Sequence, residues 1–453
     1  MFKRKIYNKI LKWKQDSNGK SALLIEGQRR VGKSTVVEEF AKNEYGSYIL
    51  IDFSNCSSSV RDLFDDMSDL NYFFMMLQLY YQTDLIERNS VIIFDEVQLC
   101  PRARQAIKHL VKDGRYDYIE TGSLISIHKN VKDILIPSEE RKMHMYPMDY
   151  EEFLWASQDY TTMDILREVY AKKMKLGDEV NRRMMRQFRL YMLVGGMPQA
   201  VDTYLTTHNF KAVDMVKRDI INLYDYDFRR IDPSGRISML FEAIPSQLNK
   251  NTKGFQTGSV LNSYSLSEDT ISEKISDLID SQVVLASWHA NNPDVGLSAW
   301  KDLNRYKLYL SDTGLFVTLM FKDKDFTENV IYGKLLDNKL SSNLGYLYEN
   351  VAAQMIAASG NNLFYYTFSD KVQKRNYEID FILSMHNKIC PLEVKSSDYR
   401  THPSIDQFYD KFSSRILHRY IIHTKDVRKD KDIICLPIYM LPCLLEETHP
   451  ADR

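Results

Sequence analysis

Short apolar runs alternate with a stretch of helical periodicity near the start of the chain. The apolar runs ALLIE, SYILIDF and SVIIFD begin at residues 22, 47 and 90, and a segment with helical spacing, VVEEFAKNEYG, lies between the first two. Strands that are separated by helices pair in parallel, because each crossover returns the chain to the same end of the sheet. The pattern therefore predicts a parallel α/β sheet within residues 1–155.

The hydrophobic pattern changes after residue 146, and we predict three further domains. Helical periodicity dominates residues 156–232, which indicates a helical lid subdomain. In residues 233–300 the order is helix, short helix, helix and apolar strand, which is typical of a winged helix-turn-helix. A second α/β pattern occupies residues 301–453, with the helix GYLYENVAAQMIAASG and the strands LFYYTF, EIDFILSM and KICPLEVKSS.

Composition narrows the class of protein only slightly. The 453 residues carry 60 basic and 61 acidic side chains, so a chain-wide basic field that would bind nucleic acid is absent and any such contact must be local. The five cysteines lie far apart without a C-x-x-C pair, which favours a reducing cytoplasm over a disulfide framework or a zinc site. No apolar run reaches the roughly 18 residues of a membrane span, so we expect no membrane crossing.

The first motif with chemical meaning follows the apolar run ALLIE. The pattern G-x-x-x-x-G-K-S occurs between a predicted strand and a predicted helix. It consists of Gly27, Gln28, Arg29, Arg30, Val31, Gly32, Lys33 and Ser34. The glycines let successive backbone amides face phosphate groups, Lys33 neutralises the β- and γ-oxygens, and the Ser34 hydroxyl ligates Mg²⁺. With Thr35 in the first helical turn, this loop predicts a binding site for ATP and Mg²⁺ in a P-loop NTPase fold.

The second motif is VIIFDE, an apolar strand that ends in Asp95 and Glu96. Ligands of open α/β sheets bind at the carboxyl ends of the strands, so both carboxylates should lie beside the phosphate loop. Asp95 would hold Mg²⁺ through its water shell, and Glu96 would orient the attacking water. ATP hydrolysis is the expected reaction, with Lys33 and Glu96 as its catalytic residues.

A third strand leads to Thr121, Gly122 and Ser123, and Arg141 follows further along the chain. Together these motifs resemble those of prokaryotic P-loop ATPases of the AAA+ and signal-transduction ATPase class, which are often fused to a winged helix and a restriction-endonuclease-like domain. The resemblance implies a γ-phosphate sensor at Thr121 or Ser123.

The same resemblance implies roles for a turn and for three arginines. Gly196 and Pro198 in GGMP would match a G-x-P turn whose proline packs near the nucleotide base. Arg29, Arg30 and Arg141 would be candidates for stabilising the charge of the nucleotide. The alternative for each arginine, a solvated or salt-bridged surface position, stays open.

The predicted recognition helix of the winged segment is acidic. Between residues 267 and 281 it carries five carboxylates and a single lysine, Lys274. These charges would repel a phosphate backbone, so the pattern favours contact with a protein partner over reading of DNA sequence. A sequence-specific transcription regulator is disfavoured.

The last domain carries a second candidate site. Twelve residues separate Asp380 from the run Glu393, Val394 and Lys395, and on a strand Glu393 and Lys395 point to the same face. Asp380 and Glu393 could bind Mg²⁺ with Glu349 from the preceding helix, while Lys395 stabilises or deprotonates the nucleophile. This arrangement resembles the PD-(D/E)XK nuclease-like fold, with Ile379 in place of the proline.

Two hypotheses follow for this domain, because the spacing pattern is loose. In the first, ATP turnover is coupled to metal-dependent cleavage of DNA or RNA. In the second, the nuclease-like domain is inactive, and a nucleotide-gated switch uses it to bind a protein partner. The sequence leaves the choice and the oligomeric state open.

Overall fold

In the computed structural model of the chain, we describe residues 1–122, 137–250, 254–261, 267–323, 326–339, 345–370, 375–397 and 400–448. Ser123, one of the two predicted sensors, lies outside these residues. The chain forms two compact units, residues 1–146 with 280–282, and residues 147–279 with 283–453. None of the described helices is long and apolar enough to cross a membrane.

The first unit contains a five-stranded sheet in which every pairing is parallel, in the order β2-β3-β4-β1-β5. The strands are β1 Ala22–Glu26, β2 Ser47–Asp52, β3 Ser90–Asp95, β4 Asp117–Gly122 and β5 Glu140–His144. All residues of β3 and β4 are buried, as expected of central strands that are covered on both faces. The predicted parallel α/β sheet is confirmed.

Five described helices accompany this sheet. They are α1 Lys5–Ser17, α2 Lys33–Glu44, α3 Ser58–Asp62, α4 Leu70–Tyr81 and α5 Pro101–Asp113. Apolar side chains of α3, α4 and α5 join those of strands β1 to β4 in one core, in which Phe53, Phe64 and Phe94 make edge-to-face contacts. The core holds the strand ends in place, and so it positions the polar residues that follow β1, β3 and β4.

The second unit begins with a helical region. Its helices up to the next strand are α6 Tyr150–Ala156, α7 Thr162–Ala171, α8 Asp178–Val194, α9 Pro198–Thr207, α10 Phe210–Ile231, α11 Arg236–Asn249, α12 Thr257–Leu261 and α13 Glu268–Asp280. Local sequence signals explain where two of these helices begin. Asp149 and Glu152 form a capping box at α6, and Pro198 occupies the first turn of α9, where a missing N–H costs nothing.

Two mixed sheets complete the second unit, in the orders β7-β6-β8-β9 and β10-β11-β12-β14-β13. Their strands are β6 Val284–Ala290, β7 Lys301–Leu310, β8 Phe364–Asp370, β9 Arg375–Ile379, β10 Phe381–Met385, β11 Lys388–Lys395, β12 Arg419–His423, β13 Arg428–Asp430 and β14 Ile433–Pro437. The described helices among them are α14 Thr313–Met320, α15 Asn329–Leu336, α16 Gly345–Ala358, α17 Pro403–Phe412 and α18 Leu441–Glu446.

Two features of these sheets differ from the sequence-based expectation. Strand β7 pairs antiparallel with β6, so the predicted domain boundary at residue 300 falls inside a hairpin. The segment EIDFILSM, expected as one strand, is interrupted at Asp380: β9 ends before it in one sheet and β10 begins after it in the other. The Asp380 carboxylate accepts a hydrogen bond from the backbone N–H of Val394, and this bond holds the junction.

Candidate functional site

The phosphate-loop motif connects β1 to α2, and steric constraints favour glycine at both of its glycine positions. A Cβ at Gly27 would collide with the carbonyl oxygen of Met145. Gly32 has a φ of 95°, a left-handed conformation that favours glycine, directly before α2 begins at Lys33. The loop therefore passes close to the neighbouring chain and then turns sharply, so that the first amides of α2 lie at its end.

Lys33 lies against this loop and is only 6% exposed. Its ammonium group donates hydrogen bonds to the carbonyl oxygens of Gly27 at 2.9 Å and Gln28 at 3.0 Å. Burial lowers the pKa of Lys33 to about 8, although the nearby carboxylates of Glu96 and Asp95 act in the opposite direction. Below that pH, a positive charge sits under the loop in a poorly solvated position.

Asp95, at the carboxyl end of β3, collects hydroxyl groups from two other elements. The Ser34 hydroxyl donates to Asp95 Oδ1 at 2.7 Å, and the Thr121 hydroxyl donates to the same oxygen. Thr121 Oγ1 also accepts the backbone N–H of Glu96 at 3.3 Å. The set consists of hydroxyl and carboxylate oxygens, which are the ligands that Mg²⁺ prefers, so the residues present fit this ion.

Glu96 follows Asp95 with a φ of 55°, which is uncommon for a residue with a side chain. The amide of Gln98 donates a hydrogen bond to its carboxylate. The N–H contact with Thr121 and the side-chain contact with Gln98 thus fix the backbone and the carboxylate of Glu96 separately. Strand β3 ends at Asp95, so the chain leaves the strand at Glu96, where the backbone is left-handed.

The three candidate arginines have different surroundings. Arg29 is half-buried and its charge helps to lower the pKa of Lys33, whereas Arg30 is exposed with a left-handed φ of 68°. Arg141 is exposed on the edge strand β5, opposite Leu23 and three residues before the strand ends at His144. That separation is about 10 Å along a strand. Within the loop, the charge of Arg29 acts on Lys33, whereas Arg141 lies on β5 away from the end of that strand.

The remaining loop and turn residues are placed as follows. Val31 is buried beneath the loop, and Thr35 is exposed in the first turn of α2. In the second unit, Pro198 begins α9 and the N–H of Gly196 donates to the carboxylate of Asp312 at 2.5 Å.

Two residues beside the loop were missed by sequence reasoning. Arg4 is 5% exposed and donates to the carbonyl oxygens of Val31 at 2.8 Å and Tyr146 at 2.6 Å. His144 lies close enough to Lys33 that burial and the charge of Lys33 lower its pKa to about 3. Arg4 stands 27 residues before Val31, outside any motif, so no spacing signal could have identified it.

We expect Arg4→Met to destabilise the loop. The change removes two charge-assisted hydrogen bonds to backbone carbonyls, which should lower the free energy of unfolding by about 2 kcal/mol and weaken ATP binding. Denaturant unfolding and calorimetric titration with ATP measure the two effects. Lys12→Met, on the exposed face of α1, is the matched control. Equal unfolding and binding for both variants would contradict this role of Arg4.

The second candidate site lies where the two sheets of the second unit meet. Within the described residues, one carboxylate oxygen from each of Glu349, Glu378 and Asp380 lies within 4.8 Å of the others. We call these three residues the acidic cluster. Glu349 is carried by α16 and Glu378 by β9, and Asp380 occupies the break between β9 and β10. Burial and the charge of Glu349 raise the pKa of Asp380 well above its usual value.

Strand β7 contributes two further side chains to the acidic cluster. The Lys307 ammonium donates to Glu349 at 3.0 Å and also to Glu378, and the Tyr309 hydroxyl donates to Glu349. Sequence reasoning missed Lys307, Tyr309 and Glu378. The available signal was the alternation of polar and apolar residues in K-L-Y (residues 307–309) and E-I-D (residues 378–380). On a strand, such an alternation places the two polar side chains on the same face.

Glu393 and Lys395 lie next to the acidic cluster and pair with each other. Lys395 Nζ is 2.7 Å from Glu393 Oε1. Burial raises the pKa of Glu393 and Lys395 opposes the shift, while the charge of Glu393 contributes to the raised pKa of Asp380. The structure therefore brings Glu349 and Asp380 together as one set with Glu378, and places Glu393 beside that set.

Three parts of the chain match known families. Residues 19–154 match an AAA domain, residues 185–325 match a domain of unknown function (DUF8612), and residues 344–441 match another (DUF4143). The chain thus contains an AAA-type P-loop ATPase domain followed by domains of unknown function. An AAA ATPase domain implies binding and hydrolysis of ATP, generally with Mg²⁺.

Several solved structures resemble the chain at low sequence identity. The Aeropyrum pernix ORC1 protein in complex with DNA is 12% identical, with 71% of this chain and 93% of that chain covered and a TM-score of 0.30. The Thermotoga maritima RuvB Holliday junction branch migration motor is 13% identical, with 62% and 89% covered and a TM-score of 0.29.

A signal transduction ATPase with numerous domains from Pyrococcus horikoshii is 8% identical, with 77% of this chain and 45% of that chain covered and a TM-score of 0.23. These scores are too low to support a functional argument. No curated protein matches the chain.

Proposed function

We propose that the protein is a Mg²⁺-dependent ATPase in which the nucleotide state of residues 1–155 controls the domains that follow. The convergence of Ser34, Asp95 and Thr121 beside the buried ammonium of Lys33 carries this proposal. A cation and a set of oxygen ligands at the carboxyl edge of a parallel sheet suit a nucleotide triphosphate with its metal.

Each residue has a role in this proposal. The amides of residues 27–35 bind the phosphates, and Lys33 exchanges its bonds to the loop carbonyls for bonds to phosphate oxygens. Ser34 and Asp95 hold Mg²⁺, which supplies charge neutralisation of the phosphate oxygens when bound. Glu96 orients water, and Thr121 responds to the γ-phosphate.

The helical lid and one of the arginines also have roles in this proposal. Pro198, in the helical lid of residues 156–232, packs near the base, as the resemblance to AAA+ ATPases implies. The charge of Arg29 acts on Lys33, and this supports our assignment of the charge-stabilising role to Arg29.

Removal of the metal tests the cofactor. We expect EDTA to reduce ATP turnover to background and excess Mg²⁺ to restore it. In this proposal hydrolysis requires the Mg²⁺ ion that the oxygen atoms of Ser34 and Asp95 would hold, and EDTA removes that ion. Release of inorganic phosphate measures the effect. Addition of EDTA already saturated with Mg²⁺ controls for effects of the chelator. Turnover that persists in EDTA would contradict the proposal.

A second candidate function is metal-dependent hydrolysis of a phosphodiester in DNA or RNA. The observation that favours it is the acidic cluster, with Lys395 and Glu393 alongside. Asp380 and Glu349 would hold the metal together with Glu378 or Glu393, and Lys395 would stabilise the attacking water.

The alternative hypothesis, which we call the inactive scaffold, is that the nuclease-like domain does not cleave and that a nucleotide-gated switch uses it to bind a protein partner. In it, the winged segment of residues 233–300 contacts a protein, which agrees with the acidic residues of α13. Recovery of a partner in ATP but not in ADP would support that alternative.

Nicking of supercoiled plasmid tests the cleavage hypothesis. We expect slow nicking by the full chain in Mn²⁺, and its loss in Asp380→Ala, because alanine removes one of the carboxylates that would hold the metal. Gel electrophoresis measures the nicked product. Asp410→Ala, an exposed position on α17, is the control. Nicking that survives in Asp380→Ala would reject the hypothesis and leave the inactive scaffold.

A further inference from the structure

Lys307 occupies an unusual position for a lysine. It is 6% exposed, and its ammonium group lies among the carboxylates of the acidic cluster, bonded to Glu349 and Glu378. It comes from β7 of the β6–β7 hairpin, whereas the carboxylates come from α16 and from the β9–β10 junction. The acidic cluster thus already contains a cation, which a different part of the chain supplies.

The acidic cluster and its neighbours nevertheless contain more acid than these lysines neutralise. Lys307 bonds to two of the cluster's carboxylates, and Lys395 pairs with one oxygen of Glu393. Glu393 is 3% exposed, and its Oε2 is buried without a hydrogen-bond partner among the residues that the structure describes. A buried carboxylate oxygen without a partner is costly, so Glu393 adds negative charge beside the acidic cluster that the lysines do not balance.

We propose that Lys307 is a built-in competitor for a divalent cation at the acidic cluster, so that metal binds tightly only when the ammonium group withdraws. The proposal rests on the metal-dependent function proposed for this cluster and adds its regulation. The two cations exclude each other because both need the oxygens of Glu349 and Glu378, and because like charges within a few ångströms repel strongly in a poorly solvated site.

The fold also supplies a route by which Lys307 could be moved. Two residues after β7, the Asp312 carboxylate accepts the N–H of Gly196 at 2.5 Å and the N–H of Leu315 at 2.8 Å. Gly196 lies in the turn GGMP, between α8 and α9. A displacement of this turn would therefore pull on the end of β7.

The helix before the same turn holds the opposite wall of the acidic cluster. In α8, Arg189 donates to the hydroxyl of Tyr348 at 3.1 Å, and the Tyr191 hydroxyl accepts the amide of Gln354 at 2.9 Å. Tyr348 and Gln354 both belong to α16, which carries Glu349. The turn is thus bonded to Asp312, two residues beyond β7, and it follows the helix that contacts α16.

Titration of the full chain with Mn²⁺, followed by electron paramagnetic resonance, tests the competition. Wild type should bind weakly, and Lys307→Met should bind at least about tenfold more tightly, since one adjacent positive charge is removed. Lys301→Met, an exposed lysine of the same strand, should behave like wild type. Adding Asp380→Asn to Lys307→Met should remove the tight binding.

A second variant and an independent activity keep the test decisive. Lys307→Gln removes the charge but retains a hydrogen-bond donor, and it should also tighten Mn²⁺ binding if Lys307→Met does not fold. If wild type and both Lys307 variants bind Mn²⁺ with equal affinity, and if that binding depends on Asp380, the proposed competition by Lys307 is wrong but the metal site is supported. Absence of Mn²⁺ binding in every folded variant would overturn both. ATP turnover, measured in parallel, reports separately on the ATPase.

Discussion

Lys33→Ala should weaken ATP binding by about 100-fold or more and reduce turnover to background. The ammonium group of Lys33 is nearly inaccessible to water and lies directly under the loop, bonded to the carbonyls of Gly27 and Gln28. A phosphate that binds there meets a charge that has already lost most of its hydration, so the interaction is stronger than at the surface. Alanine leaves the phosphates without this partner.

Calorimetric titration with Mg·ATP measures the loss of affinity. Lys42→Ala is the matched control, since this lysine lies near the end of the same helix and pairs only with the exposed Glu38. The control should bind as wild type does. If Lys33→Ala binds ATP with unchanged affinity, the assignment of the loop to the triphosphate is wrong.

Glu96→Gln should separate binding from hydrolysis. We expect ATP affinity close to that of wild type and turnover lower by about 100-fold or more, because the amide cannot accept a proton from water. The substitution preserves shape, and the glutamine oxygen can still accept the hydrogen bond from Gln98. The backbone contact between Glu96 and Thr121 is also retained.

Single-turnover hydrolysis, with ATP binding measured in parallel, distinguishes this outcome from simple unfolding. Glu87→Gln removes the same charge at an exposed position and should leave both quantities unchanged. Turnover of Glu96→Gln at the wild-type rate would show that another group orients the water.

The nucleotide loop was predictable from sequence because its information is local. The strand, the two glycines and the start of α2 all lie between residues 22 and 33, and steric constraints on Gly27 and Gly32 leave little choice of residue. Asp95 was predictable for a similar reason, since a buried parallel strand presents its carboxyl end at the ligand edge of the sheet.

The partners of these motifs were harder to predict because they are distant in the chain. Arg4 bonds to Tyr146 across 142 residues, and Lys307 bonds to Glu378 across 71. Neither contact produces a periodicity or a spacing that a single sequence displays. The acidic cluster shows the consequence: Glu349 and Asp380 were expected, whereas Glu378 was not.

The sequence was sufficient to predict the parallel sheet, the phosphate loop and the class of nucleotide chemistry, since each depends on interactions among near neighbours. It was insufficient for the hairpin across residue 300, the break at Asp380 and the ammonium group inside the acidic cluster. Those features depend on which strands pair and which charges share a buried space. Such pairings are set by packing of the whole unit, in which a lysine from one strand can neutralise carboxylates from a helix and from another strand.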